Sequence, residues 1–186
     1  MKNILSLFLV SLTFLAGFNA KAEENNMTDK KVLVAYFSAT GTTAGVAKKL
    51  AAVTGGDLFK IKPKQPYTDA DLNWHNEQSR SSVEMADKSS RPVIADKAED
   101  MSKYDVIFVG FPIWWGREPS IIDTFMESYD FTGKTIIPFA TSGSSDIGDS
   151  GNIMQSLIPQ AKVLSGKRFS SGVSENELKK WADEWL

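Results

Sequence analysis

The chain has 186 residues and a formal net charge of −2 at pH 7, without a basic stripe, so a nucleic-acid-binding function is not expected. It has no cysteine, which excludes disulfides and a lipid anchor attached to cysteine. The length suits one domain with a substantial hydrophobic core.

The first segment has the pattern of a secretory signal peptide. Lys2 precedes an apolar run over residues 4–18, and Ala20-Lys21-Ala22 has the small-x-small form of a cleavage site. The run is short for a membrane span, so cleavage after Ala22 is favoured over an uncleaved anchor. We therefore expect export to the periplasm, with no stable membrane anchor after cleavage. The predicted organisation is a signal peptide over 1–22, a flexible lead over 23–30 and one domain over 31–186.

The first predicted strand leads into a loop rich in hydrogen-bond donors. Residues 32–37 are a short apolar run of β-formers, and a helix is predicted from about Thr43. The loop Ser38-Ala39-Thr40-Gly41-Thr42-Thr43 combines unpaired helix N-terminal amides with hydroxyl groups. This predicts a site for a small monophosphate, and an ordinary turn capped by Ser and Thr is the alternative. The loop has neither a Gly-Lys-Ser/Thr ending nor a three-glycine spacing, so nucleoside triphosphates and NAD are not expected there.

The segments that follow alternate between strand and helix patterns. Continuous apolar runs over 106–110 and 135–140 predict strands that are covered on both faces. This alternation predicts an α/β protein with a parallel sheet and helices on both sides. The other predicted elements are an edge-side strand over 58–62, a helical fragment over 69–81, a helix from Pro119, a helix through 153–157, a fifth strand over 162–169 and a last helix after a capping box at Ser174.

The loop after the third strand, Pro112-Ile113-Trp114-Trp115-Gly116, carries two adjacent tryptophans. Indole rings are costly to expose, so at least one should lie against a flat ring or pack into the body of the protein. Ligands of parallel α/β folds bind at the carboxyl edge of the sheet, where this loop is expected. The sequence therefore predicts a ring-stacking loop, and two core tryptophans are the alternative.

The loop after the fourth strand, over residues 141–151, contains three glycines and four serines. Its many backbone amides could bind the polar edge of a heteroaromatic ring, and a flexible solvated turn is the alternative. Gly148-Asp149-Ser150-Gly151 matches part of the trypsin-like nucleophile motif. That function is not expected, because His75 is the single histidine and the strand–helix alternation does not suit a double barrel.

Together, these three loops resemble those of the flavodoxin family, and the resemblance covers nearly all of residues 31–186. It implies a three-layer α/β/α fold with five parallel strands in the order 2-1-3-4-5, bound FMN, and transfer of one or two electrons. The first loop would bind the phosphate, the second would stack on the ring and the third would contact the ring edge. The implied cofactor-binding residues are Ser38, Ala39, Thr40, Gly41, Thr42, Thr43, Tyr67, Pro112, Ile113, Trp114, Trp115, Gly116, Thr141, Ser142, Gly143 and Ser144, with no catalytic or metal-binding residue.

Several features depart from the family pattern. The third loop lacks the aromatic residue that many flavodoxins stack on the outer face of the flavin, which would leave that face open. Asp146 stands where related loops often have glycine, and a carboxylate near the flavin would disfavour its anionic reduced form. The predicted mature chain carries a charge of −4, a weaker field than that of the strongly acidic flavodoxins, which are commonly cytoplasmic.

The expected function is that of an FMN-binding electron-transfer protein outside the cytoplasm, working with a redox partner protein or a small electron acceptor. One alternative is an NAD(P)H-dependent quinone or flavin reductase on the same scaffold, which an open flavin face would favour. The other alternative is a flavin-binding module that transfers no electrons.

Overall fold

The computed structural model describes residues 30–97 and 100–186. The predicted signal peptide and residues 23–29 of the predicted lead lie outside the described residues. Within the described ranges, no helix has the length and apolar character needed to cross a membrane. The elements are β1 (Val32–Tyr36), α1 (Thr42–Thr54), β2 (Asp57–Lys60), α2 (Arg80–Ala86), a 3-10 helix (Met101–Lys103), β3 (Val106–Pro112), α3 (Ser120–Glu127), β4 (Thr135–Thr141), α4 (Ser150–Leu157), β5 (Lys162–Val163), β6 (Lys167–Phe169) and α5 (Glu175–Ala182).

The sheet has the strand order β2-β1-β3-β4-β5, which confirms the predicted order 2-1-3-4-5. All strand pairs are parallel, and Phe108 at the centre pairs with Val34 of β1 and Ile137 of β4. Strands β1, β3 and β4 are buried along almost their whole lengths, as their continuous apolar runs predict. The carboxyl ends of these three strands therefore lie side by side at one edge of the sheet.

Each face of the sheet has its own hydrophobic core. Alternate residues of β1 point to opposite faces, so Leu33 and Val34 belong to different clusters. Phe125 of α3 and Met154 of α4 are buried in the cluster of Leu33, whereas Leu50 of α1 is buried in the cluster of Val34. This arrangement is the predicted three-layer α/β/α fold.

The predicted fifth strand is divided into two short strands. Both β5 and β6 pair with β4, and Gly166 between them has φ +77°. A Cβ atom on Gly166 would lie 2.3 Å from the carbonyl oxygen of Pro138, so only glycine can pass this close to β4. The strand predicted over 162–169 is therefore interrupted over residues 164–166.

The helical fragment predicted over residues 69–81 is wrong. This segment is a series of turns, and the helix α2 begins only at Arg80, with Ser79 as its N-cap. The side chain of Asn73 accepts a hydrogen bond from the amide of His75 at 3.2 Å, and that of Asn76 accepts one from Gln78 at 3.0 Å. Such local side-chain bonds stabilise turns at the expense of the helix.

The two ends of the described domain meet at the edge of the sheet where β1 starts. Lys30 lies two residues before β1, and its Nζ donates a hydrogen bond to the carbonyl oxygen of Trp185 at 2.8 Å. The next amide, that of Lys31, donates to Oδ2 of Asp105 at 2.8 Å. These contacts lie at the end of the sheet opposite the three loops.

Candidate cofactor site

The first loop presents backbone amides at the start of α1. Gly41 caps the helix in the left-handed region at φ 94°, and its amide donates to Oγ of Ser38 at 3.1 Å. The amide of Gly45 makes the bond to the carbonyl oxygen of Gly41, at 3.1 Å. The amides of Thr42, Thr43 and Ala44 therefore have no acceptor in the preceding turn, and they lie at the positive end of the helix dipole.

A pair of buried threonine hydroxyls joins the first loop to the third. Oγ1 of Thr43 and Oγ1 of Thr141 lie 2.8 Å apart and share a hydrogen bond. The two residues are only 1% and 3% exposed. Because one hydroxyl donates to the other, the pair retains a further O–H group and free lone pairs for a ligand.

Two adjoining cavities lie at the carboxyl edge of the sheet. We call them the phosphate-end cavity, of about 460 Å³, and the indole cavity, of about 550 Å³. The lining of neither cavity includes a charged side chain among the described residues. Five residues line both, so the cavities are continuous: Leu72, Ile113, Trp114, Ser142 and Gly143. The phosphate-end cavity is also lined by Ser38, Ala39, Thr40, Thr42, Thr43, Pro112, Thr141 and Ser171, and the indole cavity by Trp74, Ser81, Trp115, Ser144 and Ser145.

A tight turn presents Trp115 to the indole cavity. The amide of Trp114 donates to the carbonyl oxygen of Arg117 at 2.9 Å, and the amide of Arg117 donates back at 3.1 Å. Trp115 and Gly116 between them have φ angles of 48° and 80°, which is the pattern of a type I′ turn. A bulky residue such as tryptophan is strained at positive φ. The turn thus holds an indole that is 52% exposed at the cavity.

Trp114 has a different environment from its neighbour. It is half-buried, and its ring packs edge-on against Phe37 and Tyr67, with ring centroids 5.5 and 5.3 Å away. The adjacent tryptophans are therefore divided between two roles: Trp114 is a fixed wall shared by both cavities, and Trp115 is an exposed surface of one.

Tyr67 lies behind Trp114 and, among the described lining residues, belongs to neither cavity. Its hydroxyl donates to Oε2 of Glu84, and the guanidinium of Arg80 lies 4.0 Å from its ring centroid. Burial, and then the hydrogen bond to Glu84, raise the pKa of Tyr67 well above its usual range. The phenol therefore stays protonated and supports Trp114 from outside the cavities.

The third loop is folded on itself and against the second. The hydroxyl of Ser142 donates to the carbonyl oxygen of Ser145, and Oδ1 of Asp146 accepts from the amide of Ile147 at 2.7 Å. Asp146 is not among the described residues that line either cavity. A Cβ atom on Gly148, which has φ +63°, would lie 2.3 Å from the carbonyl oxygen of Gly116. This close backbone contact fixes the spacing of the two loops.

A buried ionic cluster holds the end of the tryptophan turn. Nη2 of Arg117 donates to Oε1 of Glu118 at 2.9 Å and also to Oδ2 of Asp123. Glu118 is fully buried, and its amide donates to Oγ of Ser150 at 3.1 Å. Burial raises the pKa of Glu118 to about 7 and raises that of Asp123 too, although Arg117 opposes both shifts. The cluster links the turn to α3 and α4.

Most, but not all, of the residues that line the two cavities are among the positions predicted from the sequence. The residues that were not predicted lie in the segment before α2, in the first turn of α2, in the third loop, and after β6. A signal for one of them was present, since Trp74 is an indole in an otherwise polar segment. Of the sixteen predicted positions, Gly41, Tyr67 and Gly116 are not among the described lining residues, and the residues missed are Leu72, Trp74, Ser81, Ser145 and Ser171.

The family of the chain follows from comparison with known proteins. A family model described as Flavodoxin matches residues 31–185. The chain belongs to the flavodoxin family.

Solved structures of flavodoxin-family relatives share the fold of this chain. A protein from Bacteroides eggerthii DSM 20697, described as a flavoprotein, is 50% identical, covers 83% of this chain and 97% of its own, and superposes with a TM-score of 0.79. A second, from Bacteroides uniformis ATCC 8492, is 49% identical over 83% of this chain and 98% of its own, with a TM-score of 0.79. A flavoprotein from Lactobacillus acidophilus NCFM, solved in complex with FMN, has the same fold at 22% identity, with 82% and 99% coverage and a TM-score of 0.63. Comparison with curated protein sequences gave no match.

Proposed function

We propose that this flavodoxin-family protein is an FMN-binding electron-transfer protein that works outside the cytoplasm. The observation that carries the proposal is the continuity of two unlike cavities. One is surrounded by free amides and hydroxyls, and the other by indoles. A single ligand with an anionic tail and a planar ring matches that combination.

The phosphate-end cavity fits one phosphate group. Its donors are the helix N-terminal amides from Thr42 onward and the hydroxyls of Ser38, Thr40 and Thr43. The positive end of the helix dipole favours an anion there without a cationic side chain. A Cβ atom at Gly41 would meet nothing within 4 Å, so this glycine is favoured by its backbone conformation, at φ +94°, and not by close packing.

The indole cavity fits the ring of FMN. Trp114 and Trp115 offer flat apolar surface, and the third loop offers the hydroxyl groups of Ser142 and Ser144 and its own backbone. When bound, FMN supplies the redox chemistry, because its ring accepts and donates electrons. The protein binds the tail, orients the ring and excludes water from part of it. None of the described side chains that line the two cavities is an acid or base, so protons would come from solvent.

Electron transfer is supported by this neutral, aromatic lining, because it offers binding surfaces for a flavin whose own ring carries the redox chemistry. The proposed electron acceptor is a redox partner protein or a small acceptor. Export is supported by the signal-peptide pattern, which ends at Ala22, outside the described residues. Cell fractionation and N-terminal sequencing would test this, with Glu23 expected as the first residue of a periplasmic protein.

An absorption spectrum of the purified protein tests the function directly. We expect a flavin spectrum, or the appearance of one when FMN is added, and reversible bleaching on reduction with dithionite and reoxidation by a one-electron acceptor. NADPH oxidation with a quinone should not exceed that of free FMN. Protein that fails to bind FMN would refute the proposal, whereas NADPH turnover above free FMN would indicate the reductase instead.

A further inference from the structure

Two of the five tryptophans are exposed, and both line the indole cavity. Trp74 is 66% exposed and Trp115 is 52% exposed. Exposed indole surface costs about 25 cal/mol for each square ångström that a ligand could cover. The coincidence of two such rings at one cavity indicates that a flat apolar ligand covers them.

Trp74 is held in place by the turns around it. The amide of Leu72 donates to the carbonyl oxygen of Thr68 at 3.1 Å, and the amide of Ser81 donates to that of Asp71 at 3.0 Å, which ties the segment to α2. The ring of His75 lies against the indole of Trp74, with 3.5 Å between centroids and 33° between planes. The backbone on both sides of Trp74 is thus anchored, and the indole itself is exposed and contacts His75.

The other walls of the indole cavity leave one ring face without an aromatic contact. The third loop contributes only small residues, over 142–145. Trp114 is a half-buried wall of both cavities, and its ring packs edge-on against Phe37 and Tyr67. Among the described lining residues, Trp115 and Trp74 are the two exposed aromatic rings, which makes them suited to cover the faces of a flat ligand.

We propose that Trp74, from the segment between β2 and α2, contacts the face of the bound flavin that the third loop leaves uncovered. This inference rests on the proposed function, since it requires FMN in the indole cavity. The sequence predicts an open outer face of the flavin, whereas this contact would cover that face. A covered face has no room for a second planar substrate, so electrons would leave through the exposed ring edge or the indoles. That arrangement suits a carrier better than a nicotinamide-dependent reductase.

Equilibrium titrations with FMN, riboflavin and inorganic phosphate test this contact. We expect Trp74→Ala to weaken FMN and riboflavin binding equally, by about 10-fold, because both share the ring. Trp74→Phe should weaken binding of both flavins by less than half as much, on a logarithmic scale, as Trp74→Ala does. Phosphate binding should be unchanged, since the phosphate-end cavity is not lined by Trp74. Quenching of tryptophan fluorescence by FMN should also be smaller in Trp74→Ala.

Val93→Ala is the matched control, because Val93 is 60% exposed and is not a described lining residue of either cavity. It should leave all three affinities unchanged. If wild-type protein binds FMN and Trp74→Ala binds both flavins with wild-type affinity, the inference is overturned and the proposed function stands. If wild-type protein binds no FMN, both are overturned.

Discussion

Thr43 and Thr141 are 98 residues apart in the chain, yet their buried hydroxyl groups lie 2.8 Å apart and share a hydrogen bond. Thr43 is in the first turn of α1, and Thr141 ends β4. The bond therefore fixes the distance between the amides of the phosphate-end cavity and the start of the third loop.

Removing both hydroxyl groups of this pair should cost less stability than the sum of the two single removals. Thr43→Val and Thr141→Val should each lower the free energy of unfolding by about 1–2 kcal/mol, since each leaves a buried hydroxyl without its partner. In the double variant no hydroxyl is left unpaired, so the total loss should be smaller than the sum by about 1 kcal/mol. Urea unfolding of the four proteins measures this difference, and strictly additive losses would contradict the coupling.

A carboxylate at the start of α1 should discriminate between flavins. Thr42 is exposed and lines the phosphate-end cavity, so Thr42→Glu should weaken FMN binding by about 100-fold through charge repulsion. Riboflavin, which has no phosphate, should bind within about threefold of wild type. The fold should not suffer, because an acidic residue at a helix N-terminus is stabilising by about 0.3–1 kcal/mol. Thr42→Val separates the lost hydroxyl from the added charge. Equal weakening of both flavins would place the phosphate elsewhere.

The two adjacent tryptophans should respond differently to substitution. Trp115→Asn relieves a bulky side chain at φ 48° and should stabilise the protein by about 0.5–1 kcal/mol while weakening flavin binding. Trp114→Ala removes a half-buried ring that contacts Phe37 and Tyr67, and should destabilise the protein by about 2–3 kcal/mol. Thermal unfolding and FMN titration of both variants check this. A destabilised Trp115→Asn would mean that its indole supports the fold.

Glu118 should make the protein less stable as the pH rises. Its pKa is raised from the ordinary 4.5 to about 7, chiefly by burial, so between these values the folded state holds a proton that the unfolded chain has lost. This contribution is complete below about pH 4.5 and is lost as the pH rises through about 7, a fall on the order of 3 kcal/mol. Asp123 shifts in the same direction.

Urea unfolding between pH 5 and 8 measures the effect. Glu118→Gln keeps a neutral side chain and should flatten the profile, whereas Glu184→Gln, at an exposed position, should leave it unchanged. A profile that Glu118→Gln does not alter would show that the folded state does not hold this proton.

The fold could be predicted where its physical cause is local. Continuous apolar runs mark β1, β3 and β4, and the Ser174 side chain accepts the predicted capping bond from the amide of Glu177 at 3.2 Å. The three loops could be placed together because parallel strands carry their carboxyl ends to one edge. These rules need no knowledge of distant contacts.

The features of the fold and site that were not predicted depend on contacts between residues that the sequence does not display. The break at Gly166 arises from the close approach of Pro138, and the turns before α2 arise from competing bonds to asparagine side chains. Trp74 lines the indole cavity because of the course that the chain takes between β2 and α2. From the sequence, Arg117 and Glu118 would be expected to be surface charges. In the structure, Arg117 forms ion pairs with both Glu118 and the buried Asp123.

The bond from Lys30 to Trp185 brings both termini of the folded domain to the side away from the cavities. A purification tag, a fluorescent label or a tether to an electrode could therefore be fused at either end without obstructing access to the ligand. The same geometry would let the domain, while held by one end, present its two cavities outward.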